Sequence, residues 1–443
     1  MNNKKKLLFI IGGIIIVIII VICFIVALIK HNSSVNGSTS TGGSASDISS
    51  EYNNKNYGST SDYDGKTITS GGIYKISGNY SCITINTSDD VELDLVNATI
   101  TCDNGPAINV EDADTVSIVL SGKSTIESET TSELDGAIYS KDDLIFSGDG
   151  SLSIVSNYDG IVSKDTLVIK SGTYTIESAD DGIRGKDNVA VVDGSFNITS
   201  GGDAIKSTNE EDNSKGYIAI DGGSFTINSE GDGIAATTDL VISGGTFNIK
   251  TTGDAFSTSS KGLKATNLVE IKNGTITINS SDDGIHSDGN ITIHKGTFKI
   301  TSKDDAIHAD GLIDIEGGTF TINGAEGIEA TYVKINNGTI NITASDDGIN
   351  AGDKSNNYDT TIEINGGKLT INMGQGDTDG IDSNGNLYIN GGTISINANS
   401  PFDYDGEAKY NGGTIIVNGE TTNTITNQMM GGRGQPGGRR GVR

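Results

Sequence analysis

Tryptophan is absent from this 443-residue chain, and proline occurs only three times. Aromatic residues make up 5%, cysteines number three and histidines four. Without tryptophan there is no indole platform of the kind that stacks on a crystalline sugar surface, so tyrosines and loops would have to serve instead. So few prolines beside 61 glycines suit many short strands joined by left-handed turns, and argue against a helical protein. Bases are scarce too. From Asp47 to Asn427 there are 58 acidic side chains against 22 basic ones, a net of −36. Such a body repels nucleic acid and anionic lipid and attracts cations, so no nucleic-acid partner is expected.

There is one long apolar run, the 23 residues Leu7 to Ile29, enough to span a bilayer as a helix. Lys4, Lys5 and Lys6 precede it and Lys30 follows, which sets the N-terminus in the cytoplasm. It lacks the short core and Ala-x-Ala-like exit of a cleaved signal. Val21 and Ile22 stand before Cys23 where a lipoprotein needs a small residue. Residues 1–30 therefore read as a cytoplasmic stub and uncleaved single-pass membrane anchor, with everything downstream outside the cell. Residues 31–66, rich in Ser, Thr, Asn and Gly, read as a flexible linker, and 67–427 as the folded body. Residues 428–443 hold too much Gly and Arg to pack; they read as a disordered basic tail that touches anionic wall polymers or the protein's own acidic face.

The body repeats. After Asp283, apolar residues follow at Ile285, Ile291, Ile293, Phe298 and Ile300, with a turn glycine at Gly296. Asp305 restarts the count with Ile307, Ile313, Ile315, Phe320, Ile322 and Gly318, and the same phase fits Asp159, Asp181 and Asp232. A 22-residue unit with three short alternating runs cannot bury its apolar side chains alone, so it is one turn of a solenoid. The expected fold is all-β, a single-stranded parallel β-helix with three short strands per coil, right-handed by the usual crossover chirality. Roughly 14 coils at ~4.8 Å each give a stack ~65–70 Å long, monomeric in expectation. Thr67 to about Leu134 is degenerate and reads as capping coils. Cys82 and Cys102 lie about one coil apart there, either as a disulfide or as two buried thiols. Regular coils open near Asp135, Asp159, Asp181, Asp203, Asp232, Asp254, Asp283, Asp305, Glu326, Asp347 and Asp379, with Thr208–Gly216, Ser257–Thr266 and Ala351–Asp359 as projecting insertions.

Few polar positions keep a fixed phase, and the acid opening each coil is the first. Strict alternation would aim it inward, which a lone carboxylate does not tolerate, so the chain must turn there; the following Gly or Ala permits it. Stacking sets these acids in a row, doubled at Asp180, Asp282, Asp304 and Asp346. Carboxylates ~5 Å apart repel, which leaves raised pKa values, backbone hydrogen bonds or a bound hard cation. Calcium, which takes six to eight oxygens, is the cofactor expected among Asp159, Asp180, Asp181, Asp203, Asp282, Asp283, Asp304, Asp305, Asp346, Asp347, Asp379 and Asp382. The alternative is a structural ladder in which each acid caps its own turn.

The second fixed position, three residues on, is expected to face solvent. Arg184 and Lys206 occupy it on adjacent coils; they suit either the carboxylate of an acidic sugar or ordinary salt bridges to the acid row. His286 and His308 stack there as well, as sugar-contacting or solvated groups or as zinc ligands. Tyr158 and Tyr217 complete the candidate carbohydrate-binding set.

The segments Asn157-Tyr158-Asp159-Gly160-Ile161-Val162-Ser163-Lys164-Asp165, Asp181-Gly182-Ile183-Arg184-Gly185-Lys186-Asp187 and Lys215-Gly216-Tyr217 resemble a family of bacterial surface carbohydrate-binding domain-containing proteins. Gly71-Gly72-Ile73-Tyr74-Lys75-Ile76-Ser77-Gly78 and Asn104-Gly105-Pro106-Ala107-Ile108 extend the resemblance to roughly Thr67–Gly419. It implies a right-handed parallel β-helix, bound calcium and a polysaccharide partner: cellulose, polygalacturonate or a wall glycan. That family is similar in turn to family 9 pectate lyases, which hold calcium with Asp-Gly on one coil and Asp-Asp-Gly-x-Asp on the next. Asp159-Gly160 matches the first and Asp180-Asp181-Gly182-Ile183 the second, except that Arg184 replaces the last acid. Lys206 would be the base of a β-elimination if the chain were a lyase. A plain structural stalk or adhesin is the third reading.

Overall fold

The computed structural model describes residues 43–254, 259–374 and 378–427. The apolar run Leu7–Ile29 and the tail 428–443 lie outside the described residues. Among the described residues no helix is long and apolar enough to cross a membrane.

Within the body, each strand pairs in parallel with its counterpart one coil on; in most coils that is the third strand along, while Ile307–Ile315 and Ile328–Ile335 each run two of a coil's strands together. Asp159–Ser163, Thr166–Ile169 and Thr173–Ser178 make one turn of the chain. The next turn lies on it in register, with Ile161 opposite Ile183, Leu167 opposite Val189 and Tyr174 opposite Phe196. This all-β, parallel arrangement is what a β-helix requires. Alternation explains the core: in Thr173–Ser178 the side chains of Tyr174 and Ile176 are buried while Thr173, Thr175 and Glu177 are exposed. Identical phase then stacks like on like. Tyr174, Phe196, Phe225 and Phe247 form a continuous pile with ring centroids 5.1, 4.7 and 4.7 Å apart and nearly parallel rings. Each buried Ile, Leu or Phe stabilises by about 1.5–3 kcal/mol, and no single coil could bury its own. The turn before each aromatic needs a left-handed residue: Gly194 sits at φ 146°, and a Cβ there would meet the Phe196 ring at 2.9 Å.

Three sequence expectations change. The stretch read as a flexible linker, 31–66, includes a short helix, Ala45–Ser50, closed by a capping box between Ser44 and Asp47. Ala45 and Ile48 pack on Ile145, Val168, Ala190 and Ala219, small apolar residues that point outward from the second strand of successive coils. Tyr52 Oη donates to Asp143 at 2.9 Å, and the Ser46 amide donates to Asp221 at 2.7 Å. Thr60–Asp62 then joins the first coil beside Ile73–Lys75. Second, Asp254 does not open a coil. It is exposed, and the equivalent position belongs to Lys261, since Leu263 pairs with both Ile234 and Ile285. The insertion here therefore precedes Lys261, and Leu263–Ala265, read as loop, is a core strand. Third, Asp135 is one residue out of phase: Gly136 aligns with Asp159. Cys82 and Cys102 form a disulfide. At the far end Glu420–Thr422 folds back antiparallel on Thr414–Val417, blunting an edge that would otherwise offer itself to another chain.

Candidate functional site

The coil-opening residues form a row on one edge of the stack: Asp159, Asp181, Asp203, Asp232, Lys261, Asp283, Asp305, Glu326, Asp347 and Asp379. The residue after each runs close to the next coil. A Cβ on Gly182 would lie 2.6 Å from the Ala204 carbonyl, and one on Gly284 2.5 Å from that of Ala306, which accounts for the recurring Asp-Gly.

One oxygen of most of these acids accepts from the amide of the coil above rather than capping its own turn. The Asp181 amide donates to Asp159 at 3.0 Å, that of Asp203 to Asp181 at 2.8 Å, and that of Asp232 to Asp203 at 2.6 Å. Lys261 and Asp305 donate likewise to Asp232 and Asp283, and Asp379 to Asp347 at 3.0 Å. The second oxygen faces the position three residues on. There the sequence supplies cations, which fold back onto the acids instead of reaching into solvent.

Arg184 keeps only 17% of its side chain exposed and bridges three rungs. Its Nη2 lies 2.5 Å from Asp135 and 2.6 Å from Asp159, and its Nε 3.8 Å from Asp181. Lys206 Nζ sits 2.8 Å from Asp203 and 3.7 Å from Asp181. Arg184 and Lys206 are thus both salt-bridged to the acid row. Lys264 takes the same role on Asp232 at 3.4 Å. Burial raises Asp159 to about 7 and Asp181 to about 6 despite these partners, with neighbouring carboxylates adding to the rise. Lys206 is held above its ordinary value: burial works against its charge, but Asp203 and Asp181 outweigh it.

The middle of the row is differently equipped. Lys261 Nζ lies 2.5 Å from Asp282 and 3.2 Å from Asp283. His286 Nδ1 is 2.8 Å from Asp283, while His308 Nδ1 is 2.8 Å from Asp305 and 3.0 Å from Glu329. The two imidazoles stack with centroids 4.9 Å apart. Burial opposes ionisation of Asp283, but His286 and Lys261 bring it down to about 2. Burial likewise opposes the charge on His308, yet Asp305 and Glu329 lift it to about 10.

Towards the C-terminal end side-chain cations become scarce among the described residues. Lys354 reaches Glu329 at 2.9 Å. Beyond it the position three residues on is Asn350, then Asp382, then Asp403, aligned coil to coil. Burial raises Glu326 to about 8, with Asp305 and Glu329 adding to the rise. It raises Asp347 to about 6 and Asp382 to about 7, and the charged neighbours that push them further are carboxylates. Glu326 Oε2 and Asn350 Oδ1 are buried oxygens without a hydrogen-bond donor. This donor set is all oxygen, which is what a hard divalent cation takes.

The doubled acids behave unequally. Asp180, Asp304 and Asp346 are exposed and Asp282 is buried. Asp159, Asp180 and Asp181 can each offer an oxygen within 4.8 Å of the others, as can Asp282, Asp283 and Asp304. Tyr158 is half-buried beside Asp159. Tyr217 is not brought to the acid row: it aligns with Asn188 in the second strand and packs against the amino-terminal helix. Sequence reasoning missed Lys261 and Lys264. The pair Gly262-Leu263, in the phase of Gly284-Ile285, was the signal that would have found them.

A family model described as carbohydrate-binding domain-containing protein matches residues 63–306 and 293–422. Among solved structures, the polysaccharide lyase-like protein from C. thermocellum, as a gadolinium derivative, is 22% identical; the alignment covers 53% of this chain and 95% of that one, with a TM-score of 0.39. No curated protein matches.

Proposed function

The chain belongs to the carbohydrate-binding domain-containing family, and from that premise we propose that it is an extracellular, membrane-anchored protein whose polysaccharide binding depends on calcium. Leu7–Ile29 would be the anchor, and the body a monomeric right-handed β-helix displayed at the cell surface. The observation that carries the calcium reading is the change along the acid row. From Asp159 to Asp305 side-chain cations lie against it, whereas around Glu326, Asp347 and Asp382 carboxylates face carboxylates and buried oxygens lack donors. Asp347, Asp379 and Asp382, with Asp346 at the rim, are the residues that would hold the ion. A calcium there leaves coordination positions for the oxygens of an acidic sugar. On the rungs of Asp159, Asp180, Asp181 and Asp203, Arg184 and Lys206 already stand where calcium was expected. Their exposed edges remain the surface for a uronate or a neutral glycan such as cellulose.

The lyase reading asks Lys206 to give up its proton, and two carboxylates hold that proton in place. Binding without elimination is therefore the reading we adopt. Retention on polygalacturonate and cellulose columns, with calcium and with chelator, tests it. We expect retention on polygalacturonate to fall in chelator and in the Asp347→Asn/Asp382→Asn double variant, and no unsaturated uronate to form. Retention indifferent to both would remove calcium from the account. Retention unchanged in Lys206→Ala with Asp181→Ala would move the sugar away from the first rungs.

A further inference from the structure

The position three residues after the coil-opening residue holds Arg184, Lys206 and Lys264 on three coils, so a positive charge is readily supplied there by long side chains. On the next two coils it holds imidazoles instead, which unlike ammonium groups can ligate a metal. Both histidines direct Nδ1 at the row, to Asp283 on one coil and to Asp305 and Glu329 on the other. Ligand atoms of Asp283, His286 and His308 lie within 4.8 Å of one another, and so do those of Asp305, His308 and Glu329. A second observation is independent of that convergence. Each ring's remaining nitrogen meets a carboxylate two residues on: His286 Nε2 lies 2.9 Å from Asp288 Oδ1, and His308 Nε2 3.4 Å from Asp310 Oδ1. Carboxylates behind the far nitrogen are how metal-ligating histidines are oriented and made more basic, and a salt bridge to the row does not call for them.

We propose that His286 and His308, with Asp283 and one of Asp305 or Glu329, form a site for a late first-row divalent ion such as zinc. The site is distinct from the all-oxygen end of the row. Two nitrogens and two oxygens suit zinc and are poorly matched to calcium. Tetrahedral bonds of about 2.0–2.1 Å set ligand atoms roughly 3.4 Å apart. The 2.8 Å contacts within each coil would open slightly, and the stacked rings, now only 20° from parallel, would have to turn about their own χ2 bonds until both planes meet at the ion.

The test uses the full chain, dialysed against buffered zinc with calcium in large excess, with bound zinc counted per chain. One zinc is expected to be retained, and none in the His286→Lys/His308→Lys variant, which keeps the positive charges but removes the ligands. Circular dichroism of that variant confirms that the coils persist. Asp288→Asn should weaken zinc binding by about 10–100-fold while leaving all four ligands in place. Zinc absent from the wild-type chain, displaced by calcium, or retained equally by the lysine variant would overturn the proposal.

Discussion

Most folded proteins lose stability in acid as carboxylates paired in the native state take up protons; this one is expected to lose it on the alkaline side as well when calcium is withheld. Glu326 is the sharpest case. Its carboxyl has an ordinary value of 4.5 and is raised to about 8, chiefly by burial. Between those limits the folded chain holds a proton that the unfolded chain has released, so stability falls as pH rises through the interval. At about 1.4 kcal/mol per pH unit the loss approaches roughly 5 kcal/mol at most, less as water reaches the partly exposed group. Asp382, raised to about 7, and Asp347, raised to about 6, act in the same direction. Asp283 and Glu329, both lowered to about 2, act oppositely, but their contribution is lost below pH 4.5, outside the interval. His308 keeps its proton in the folded chain up to about 10 but releases it near 6.5 when unfolded, so its contribution to stability also declines above about 6.5 and a variant is needed to separate the causes. Thermal unfolding of the full chain in chelator should show the midpoint falling by several degrees from pH 5 to pH 8.5. Glu326→Gln should flatten part of that slope, and millimolar calcium most of it. A midpoint that is level or rises across this range in chelator, or a slope identical in Glu326→Gln, refutes the reasoning.

Other outcomes follow from single contacts. Arg184→Met should cost about 3–5 kcal/mol at pH 8, because it strands the buried Asp159 carboxylate, and clearly less below pH 6, where Asp159, raised to about 7, takes a proton; denaturant titration at the two values checks this. Phe225→Ala should cost about 3–5 kcal/mol, since it breaks the ring pile between Phe196 and Phe247 and leaves a cavity no coil can close; chemical unfolding measures it. Ile48→Asp should detach the amino-terminal helix without unfolding the coils. Hydrogen exchange would then speed up in residues 45–52 and in the strands carrying Val168 and Ala190, with little change beyond Asp283.

The sequence made the coil period legible because the core is built by one rule: apolar side chains two, eight, ten, fifteen and seventeen residues after the opening acid must all point inward. Phe298 and Phe320, or Ile161 and Ile183, fall opposite one another with no further information. Anchoring that count on the acid rather than on the Gly-Ile pair is what misplaced Asp254 and hid Lys261. A charged side chain at the edge is replaceable by any group that balances its neighbours, whereas the position of Gly262, close against the Gly284 carbonyl, holds only Gly or Ala along the row. The amino-terminal helix escaped for another reason. Its contacts with Ala190 and Ala219 join residues far apart in the chain and involve small side chains that no periodicity marks.

What one sequence could not reveal is how far a long side chain reaches once the coils are stacked. Arg184 looks solvent-facing by alternation, yet it crosses three rungs because the coil spacing of about 5 Å is shorter than an arginine. The same geometry makes the acid row a balance among coils rather than a repeat of identical sites. Where Arg, Lys or His follows the acid by three residues, the row is neutralised from within. Where Asn350 and Asp382 follow, no side-chain cation among the described residues lies against Asp382, and balance comes from protons or from a cation brought to the row. The residue three places after each coil-opening residue, together with the lysines that reach across from neighbouring coils, therefore determines which coils are structural and which are open to a ligand. Replacing Asp382 with arginine should turn an open rung into a closed one, abolishing the calcium dependence of the unfolding midpoint while raising that midpoint in chelator. If calcium still stabilised such a chain as strongly as the wild type, the ion would have to lie elsewhere than on this end of the row.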